Sequence, residues 1–273
     1  MSPPPDIPRF RTIEISDPQF ETENLREITV QSPALGQRAD ITVWAPPAPR
    51  AAKNVPLIIL LHGVYGSHWS WVRMAGAHRI ADAMIASGEL PPCVLAFPSD
   101  GLWGDGSGYL PHRRQDFERW IVDDVPAAVR AAAPAVTEAS PVCLGGLSMG
   151  GFGALRLVAK HPDRFVAASG HSSVTEVGAM RDFVADLPGT AAARRQDGSV
   201  LATLVRHRDR LPPFRFDCGS EDRLCAANRT LHRELDASGI AHIYEEFSGG
   251  HTWDYWCEHL PRSLRFFALW LRA

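Results

Sequence analysis

Apolar and polar residues alternate over residues 25–30 and again over 40–44, with the turn-rich Ser32-Pro33-Ala34-Leu35-Gly36 between them. A period of two interrupted by turn chemistry predicts a β-hairpin. Beyond Pro46, Pro47 and Pro49 the pattern changes. Residues 57–61, 93–97, 142–144, 165–168, 214–217 and 243–246 form short, mostly continuous apolar runs, as strands covered on both faces of a parallel sheet do. Helical spacing fills the intervals. It predicts helices over 71–87 (ended by Gly88), 115–133 (with Pro126 as a candidate kink), 149–160, 226–238 (stopped by Gly239) and 256–271. Strands alternating with helices predict an α/β fold: an open, mostly parallel central sheet led by an N-terminal antiparallel hairpin, with helices on both faces.

Two stretches stand outside this rhythm. Residues 1–8 are proline-rich and read as a loose arm. Residues 174–210, rich in Ala, Arg, Asp and Gly, interrupt the alternation between two strands. They read equally as an insertion or partial lid over the carboxyl edge of the sheet, or as an ordinary surface excursion. A length of 273 residues suits one domain, residues 1–273.

Bulk composition removes several function classes. With 45% hydrophobic and 22% charged residues, the chain has ordinary globular usage rather than that of a disordered or coiled-coil protein. A formal net charge of -3 creates no field that would draw in nucleic acid or an anionic membrane. No apolar run approaches the ~18 residues of a membrane span, and the N-terminus lacks the basic and apolar regions of a secretory leader. The five cysteines are odd in number and include no CxxC pair, so no disulfide framework is expected. Cys93, Cys143 and Cys218 fall in apolar runs as small core residues. A cytoplasmic location is the resulting expectation. Self-association is left open.

The richest stretch for chemistry is Gly145-Gly146-Leu147-Ser148-Met149-Gly150-Gly151-Phe152-Gly153. It holds a G-x-S-x-G pattern, with an apolar strand running in and a small-residue helix running out, the context a nucleophile elbow needs. Ser148 must occupy a sharp, strained turn, so its neighbours at 146 and 150 cannot carry side chains. Gly151 and Gly153 let the helix pack close to the sheet. The helix beginning at Met149 aims its free amides and positive dipole end at the place where an oxyanion forms.

A serine hydroxyl needs a base, and the base an acid to orient it. In this fold the chain order is Ser, then Asp or Glu, then His. His251 follows the last strand in Phe247-Ser248-Gly249-Gly250-His251, whereas His232, His242 and His259 read as surface residues. The loop after residues 214–217 offers Glu221 and Asp222, and spacing alone does not separate them. An oxyanion hole also needs an amide from the loop after the first central strand. Leu61-His62-Gly63-Val64-Tyr65-Gly66 offers the Val64 N–H alongside that of Met149, with His62 as a structural residue of the loop.

Taken with Gly219-Ser220-Glu221-Asp222, Gly249-Gly250-His251-Thr252-Trp253 and His161-Pro162-Asp163-Arg164-Phe165, these motifs resemble the esterase D family of α/β-hydrolases. That family includes S-formylglutathione hydrolases, small bacterial acyl esterases, feruloyl esterases and mycolyltransferases. The resemblance runs from about residue 25 to the C-terminus. It implies Ser148, Asp222 and His251 as the catalytic triad, Asp222 taking precedence over Glu221, and the Val64 and Met149 amides as the oxyanion hole. The cysteine-containing loop of S-formylglutathione hydrolases is absent after His62-Gly63, which disfavours a glutathione thioester. Residues 174–210 match no part of the pattern.

The expected activity is hydrolysis of carboxylic esters with short acyl or aryl-acyl groups through an acyl-enzyme. The alternatives are acyl transfer by the same triad, or a non-catalytic binding protein of this fold. Candidate pocket residues are Tyr65, Trp103, Trp253 and His171, with Trp103 favoured by its glycine-rich loop. The partner is a small-molecule ester, and no nucleic acid or membrane partner is expected. No cofactor is called for, and the chain lacks HxH, HExxH or paired Cys/His spacing, so no metal site is expected.

Overall fold

The computed structural model describes residues 9–46, 52–186, 189 and 191–271; the arm at 1–8 lies outside them. Nine strands form one sheet in the order β1-β2-β3-β5-β4-β6-β7-β8-β9. They are β1 Ile13–Ile15, β2 Leu25–Ser32, β3 Gln37–Trp44, β4 Leu57–Leu61, β5 Val94–Pro98, β6 Val142–Leu147, β7 Ala167–His171, β8 Phe214–Gly219 and β9 Ile243–Phe247. The strands β1, β2, β3 and β5 pair antiparallel, and all pairs from β5 onward through β4 to β9 are parallel. The predicted hairpin is β2–β3, two residues longer at its tip on strand β2. Strand β1 has no sequence signal and joins as an edge.

Side chains of alternate parity face opposite ways on a strand, and β4 shows this directly. Leu57, Ile59 and Leu61 enter one buried cluster, with residues of Val125–Ala132 and Met149–Lys160. Ile58 and Leu60 enter the other, with Trp71, Ala77, Leu260 and Phe267. Both faces of the sheet are therefore covered.

The helices are α1 Ser70–Met74, α2 Ala77–Ala86, α3 Phe117–Arg119, α4 Val125–Ala132, α5 Met149–Lys160, α6 Ala191–Asp197, α7 Val200–Arg206, α8 Cys225–Ala237 and α9 Trp253–Leu271. Two predicted helices are corrected. Residues 71–87 are two helices, because Gly76 takes a left-handed φ of 60° that ends the first turn. Residues 115–133 are helical from Phe117 to Ala132 with a π-helical turn, Trp120–Asp124, in the middle. The cause is Pro126, which has no N–H to donate. Just before it, the Val125 N–H reaches back to the Trp120 carbonyl. The stretch 174–210 contains Val177–Asp182, α6 and α7, and α7 packs on the core through Val200 and Leu204.

One topological detail positions the site. After β4 the chain moves to one side of it for β5 and then returns to the other for β6. The carboxyl ends of β4 and β6 thus open onto a crevice between connections that run in opposite directions, the usual binding place in such sheets.

Candidate active site

Ser148 stands at that crevice, between the end of β6 and the start of α5, with φ 54° and ψ -116°. A non-glycine residue there is strained and is held by its surroundings. Its N–H donates to the His171 carbonyl at 2.8 Å, and its own carbonyl accepts from Val174 N–H at 3.1 Å. The turn is tight enough that a Cβ on Gly146 would strike the Gly150 carbonyl, and one on Gly150 the carbonyl oxygen of Leu61. Gly151 and Gly153, expected to face the sheet, instead lie against Ser173 and Tyr109.

His251 arrives from the loop after β9. Its Nε2 is 3.0 Å from Ser148 Oγ, and its Nδ1 is 2.8 Å from Asp222 Oδ2. Asp222 follows β8, and its other oxygen accepts the Leu224 N–H at 2.8 Å. Burial alone would raise the Asp222 carboxyl. The hydrogen bond and charge of His251, the Leu224 amide and the Ser172 hydroxyl outweigh it, and the group lies below its ordinary value. Ser172 has a left-handed φ of 47° and also accepts from Trp256 Nε1 at 3.2 Å. Glu221 turns away instead, to Gly249 N–H and the Ser220 hydroxyl. Of the two carboxylates open in the sequence, the fold brings only Asp222 to the imidazole.

A cavity of about 320 Å³ opens over Ser148 and His251, and Val64, Tyr65, Trp69, Trp253 and Trp256 contribute to its walls. The loop carrying Val64 is braced by His62, whose Nε2 accepts the Asp100 N–H at 3.0 Å and whose Nδ1 donates to the Gly63 carbonyl at 2.6 Å. The Met149 amide is the first of α5, and such amides have no partner within the helix.

Two expected pocket residues are not on the wall. Trp103 turns inward from its loop, packing edge-on against His112 at 4.4 Å and against Phe117. His171 lies beneath the elbow, 1% exposed, with Nδ1 3.0 Å from Asp217 and Nε2 2.7 Å from Ser263 Oγ. Arg215 and Tyr255 also donate to Asp217, at 2.7 and 2.8 Å. Burial would push the Asp217 carboxyl up, but His171, Arg215 and Tyr255 together hold it at about 2. In place of a substrate contact, His171 belongs to a buried polar cluster that anchors the turn.

Sequence reading missed three residues near the imidazole: Ser172, Phe183 and Arg223. Phe183 stacks with the His251 ring at 6.4 Å and 23°, and the Arg223 guanidinium lies 3.9 Å over Phe183. Arg223 also lines the cavity. Nothing in periodicity marks them, because the loop geometry that gathers them is irregular. His259, expected at the surface, is buried between Phe247 and Tyr255, each ring at 4.4 Å. No HxH or HExxH spacing is present, yet the fold brings ring nitrogens of His232 and His242 and a carboxylate oxygen of Asp236 within 4.8 Å of one another. This cluster shares no residue with the cavity.

Residues 32–267 match the Esterase family, described as "Putative esterase". The chain belongs to this family. It is a carboxylic ester hydrolase of the serine hydrolase kind. An acetyl esterase from Caldicellulosiruptor saccharolyticus is 26% identical over 234 residues, covering 79% of this chain and 84% of the relative. Further curated relatives are longer, and the chain spans 54–55% of their length. Among solved structures, a ferulic acid esterase superposes with a TM-score of 0.75 at 21% identity, covering 95% of this chain and 99% of the other. The S-formylglutathione hydrolase FrmB of Staphylococcus aureus does so with 0.73 at 17% identity, covering 94% and 99%. These likenesses bear out the α/β-hydrolase fold.

Proposed function

We propose that this esterase works through an acyl-enzyme on Ser148, with His251 as base and Asp222 as its orienting acid. The observation that carries the reading is the unbroken hydrogen-bonded run from Ser148 Oγ through His251 to Asp222 at the floor of an open cavity. His251 Nε2 takes the hydroxyl proton as Oγ bonds to the ester carbonyl carbon. The negative oxygen that forms is held by the Val64 and Met149 amides. His251 then gives the proton to the departing alkoxide, and the alcohol leaves. Water, deprotonated by the same imidazole, adds to the acyl carbon and releases the acid and the free serine.

The aromatic walls suit short acyl or aryl-acyl groups. Tyr65, Trp69 and Met74 on the cavity wall are 67%, 46% and 50% exposed, which gives water ready access and favours hydrolysis over acyl transfer. Of the stretch 174–210, the part at Val177–Asp182 and Phe183 serves as a partial lid in this reading, since the Phe183 ring stacks with His251. The five unpaired cysteines suit a reducing compartment such as the cytoplasm.

A fluorophosphonate probe tests the nucleophile. The phosphonyl adduct should map to Ser148 by mass spectrometry, and His251→Ala should slow its formation by about 10²–10⁴-fold. An adduct on another residue, or labelling indifferent to His251, would sink the triad.

A further inference from the structure

We infer that the cavity carries an anion-binding subsite built on Arg223, and that the preferred esters bear a carboxylate. This rests on the Ser148 reading and names the substrate class for it. Arg223 immediately follows Asp222, so the loop that delivers the acid also delivers this cation to the cavity wall. Among the lining residues it is the single Arg or Lys, and none is Asp or Glu. The remaining wall is aromatic, aliphatic or glycine, with Ser70, Ser148, His251 and Thr252 as its other polar members. Arg223 is itself exposed and stands at the rim of this wall, so it attracts an anion as a solvent-screened surface charge.

The neighbouring arginines behave differently. Arg215 and Arg262 pair with Glu245, and Arg229 with Glu246. Among the described residues Arg223 has no such ion pair and rests instead on a ring. The two carboxylates that precede it in the chain are already engaged: Asp222 by His251 and Leu224, Glu221 by Ser220 and Gly249. Asp105 accepts the Ala185 N–H.

Stacking on Phe183 also orients the group. A guanidinium lying on an aromatic face keeps its N–H donors in its own plane, free to form a two-pronged bond to a carboxylate. The ring beneath it stacks on His251, so Arg223, Phe183 and the imidazole form successive layers on one side of the site. A substrate whose ester lies at Ser148 and whose far end is acidic meets the cation along this stack. Its contact is remote from the reacting carbon and is made equally in ground and transition states, so it lowers KM more than it raises kcat.

The test uses paired esters of equal length. The 4-nitrophenyl monoester of adipic acid is compared with 4-nitrophenyl hexanoate, and 4-carboxyphenyl acetate with its neutral isostere 4-carbamoylphenyl acetate, to place the anion on the acyl or the alcohol side. The wild-type protein should favour the anionic member of one pair by up to about 5-fold in kcat/KM, mainly through KM, and the preference should shrink at high salt. Arg223→Gln should bring the ratio towards one, and Arg223→Lys should restore part of it. Arg223→Glu should transfer the preference to the cationic 4-nitrophenyl 6-aminohexanoate, a reversal that a purely structural arginine would not produce. Neutral esters turned over with no charge preference, or a preference unchanged in Arg223→Gln, would overturn the subsite alone. If wild-type protein cleaves no ester of either kind, the Ser148 reading itself has failed.

Discussion

Ser148→Ala is expected to lower kcat on 4-nitrophenyl acetate by about 10⁵–10⁶-fold and to move the thermal midpoint little. The alanine can keep the strained backbone of the elbow, since its φ of 54° is held by the His171 and Val174 bonds and by the close approach of Gly146 and Gly150. What disappears is the bond to the acyl carbon, and with it the acyl-enzyme route. The remaining rate over water, about 10³–10⁴-fold in comparable enzymes, comes from the oxyanion amides and from binding. Asp222→Asn should behave differently. It preserves the shape beside His251 but presents the wrong hydrogen-bonding partner to Nδ1 and no negative charge, and a loss of about 10⁴-fold in kcat is expected. Steady-state kinetics on purified variants decide both. A loss of only tenfold in Ser148→Ala would mean that the nucleophile lies elsewhere.

Asp217→Asn is expected to destabilise the fold at pH 7 by about 3–5 kcal/mol, because it removes the fully buried anion on which His171, Arg215 and Tyr255 converge and leaves Arg215 with the half-buried Glu245 as its remaining ion partner. For a chain of this size that lowers the thermal midpoint by roughly 6–15 °C. The pH dependence has a definite sign. The native carboxyl is held at about 2, against ~3.9 in an unfolded chain. Its stabilisation is therefore complete above ~4 and is lost as pH falls towards 2. Glu118 is likewise held down at about 2: burial would raise it, and His161, Lys160 and Arg156 outweigh that. Acid unfolding thus has at least two sources. The difference between wild-type and Asp217→Asn stability, measured by denaturant titration from pH 7 to pH 2, isolates the first. A difference that stays constant over that range would show that Asp217 acts through packing and not through its charge.

The same cluster explains where hydrophobic patterning reads the chain correctly and where it fails. Strands β4 and β6 are apolar along most of their length and are flanked by turn residues, so their place in the sheet follows from composition. Strand β7 was expected at 165–168 and lies at Ala167–His171. Its second half, Ser169-Gly170-His171, looks like loop, yet both polar side chains are buried because Ser263, Asp217 and Arg215 satisfy them. A partner 92 residues away leaves no trace in local periodicity. Trp103 misled in the opposite sense. Its glycine-rich loop suggested exposure, whereas His112 and Phe117 supply a packing surface from another segment. The elbow and the His251 loop were legible because their chemistry demands particular residues at short range. Spacing did not choose between Glu221 and Asp222, since adjacent residues differ only in the direction that the turn gives them, and the preference for Asp222 came from the family resemblance alone.

Ser148, Asp222 and His251 stand at or just beyond the carboxyl ends of β6, β8 and β9, and the serine and histidine are 103 residues apart. Ser148 has its neighbours in the β4–β6 core, whereas the imidazole of the proposed triad is carried by the loop after the outermost parallel strand. Any form of the chain in which β9 has not docked therefore holds the proposed nucleophile without its base. Such a molecule exposes an unactivated hydroxyl, and on the proposed mechanism it cannot capture acyl groups before the edge of the sheet is complete.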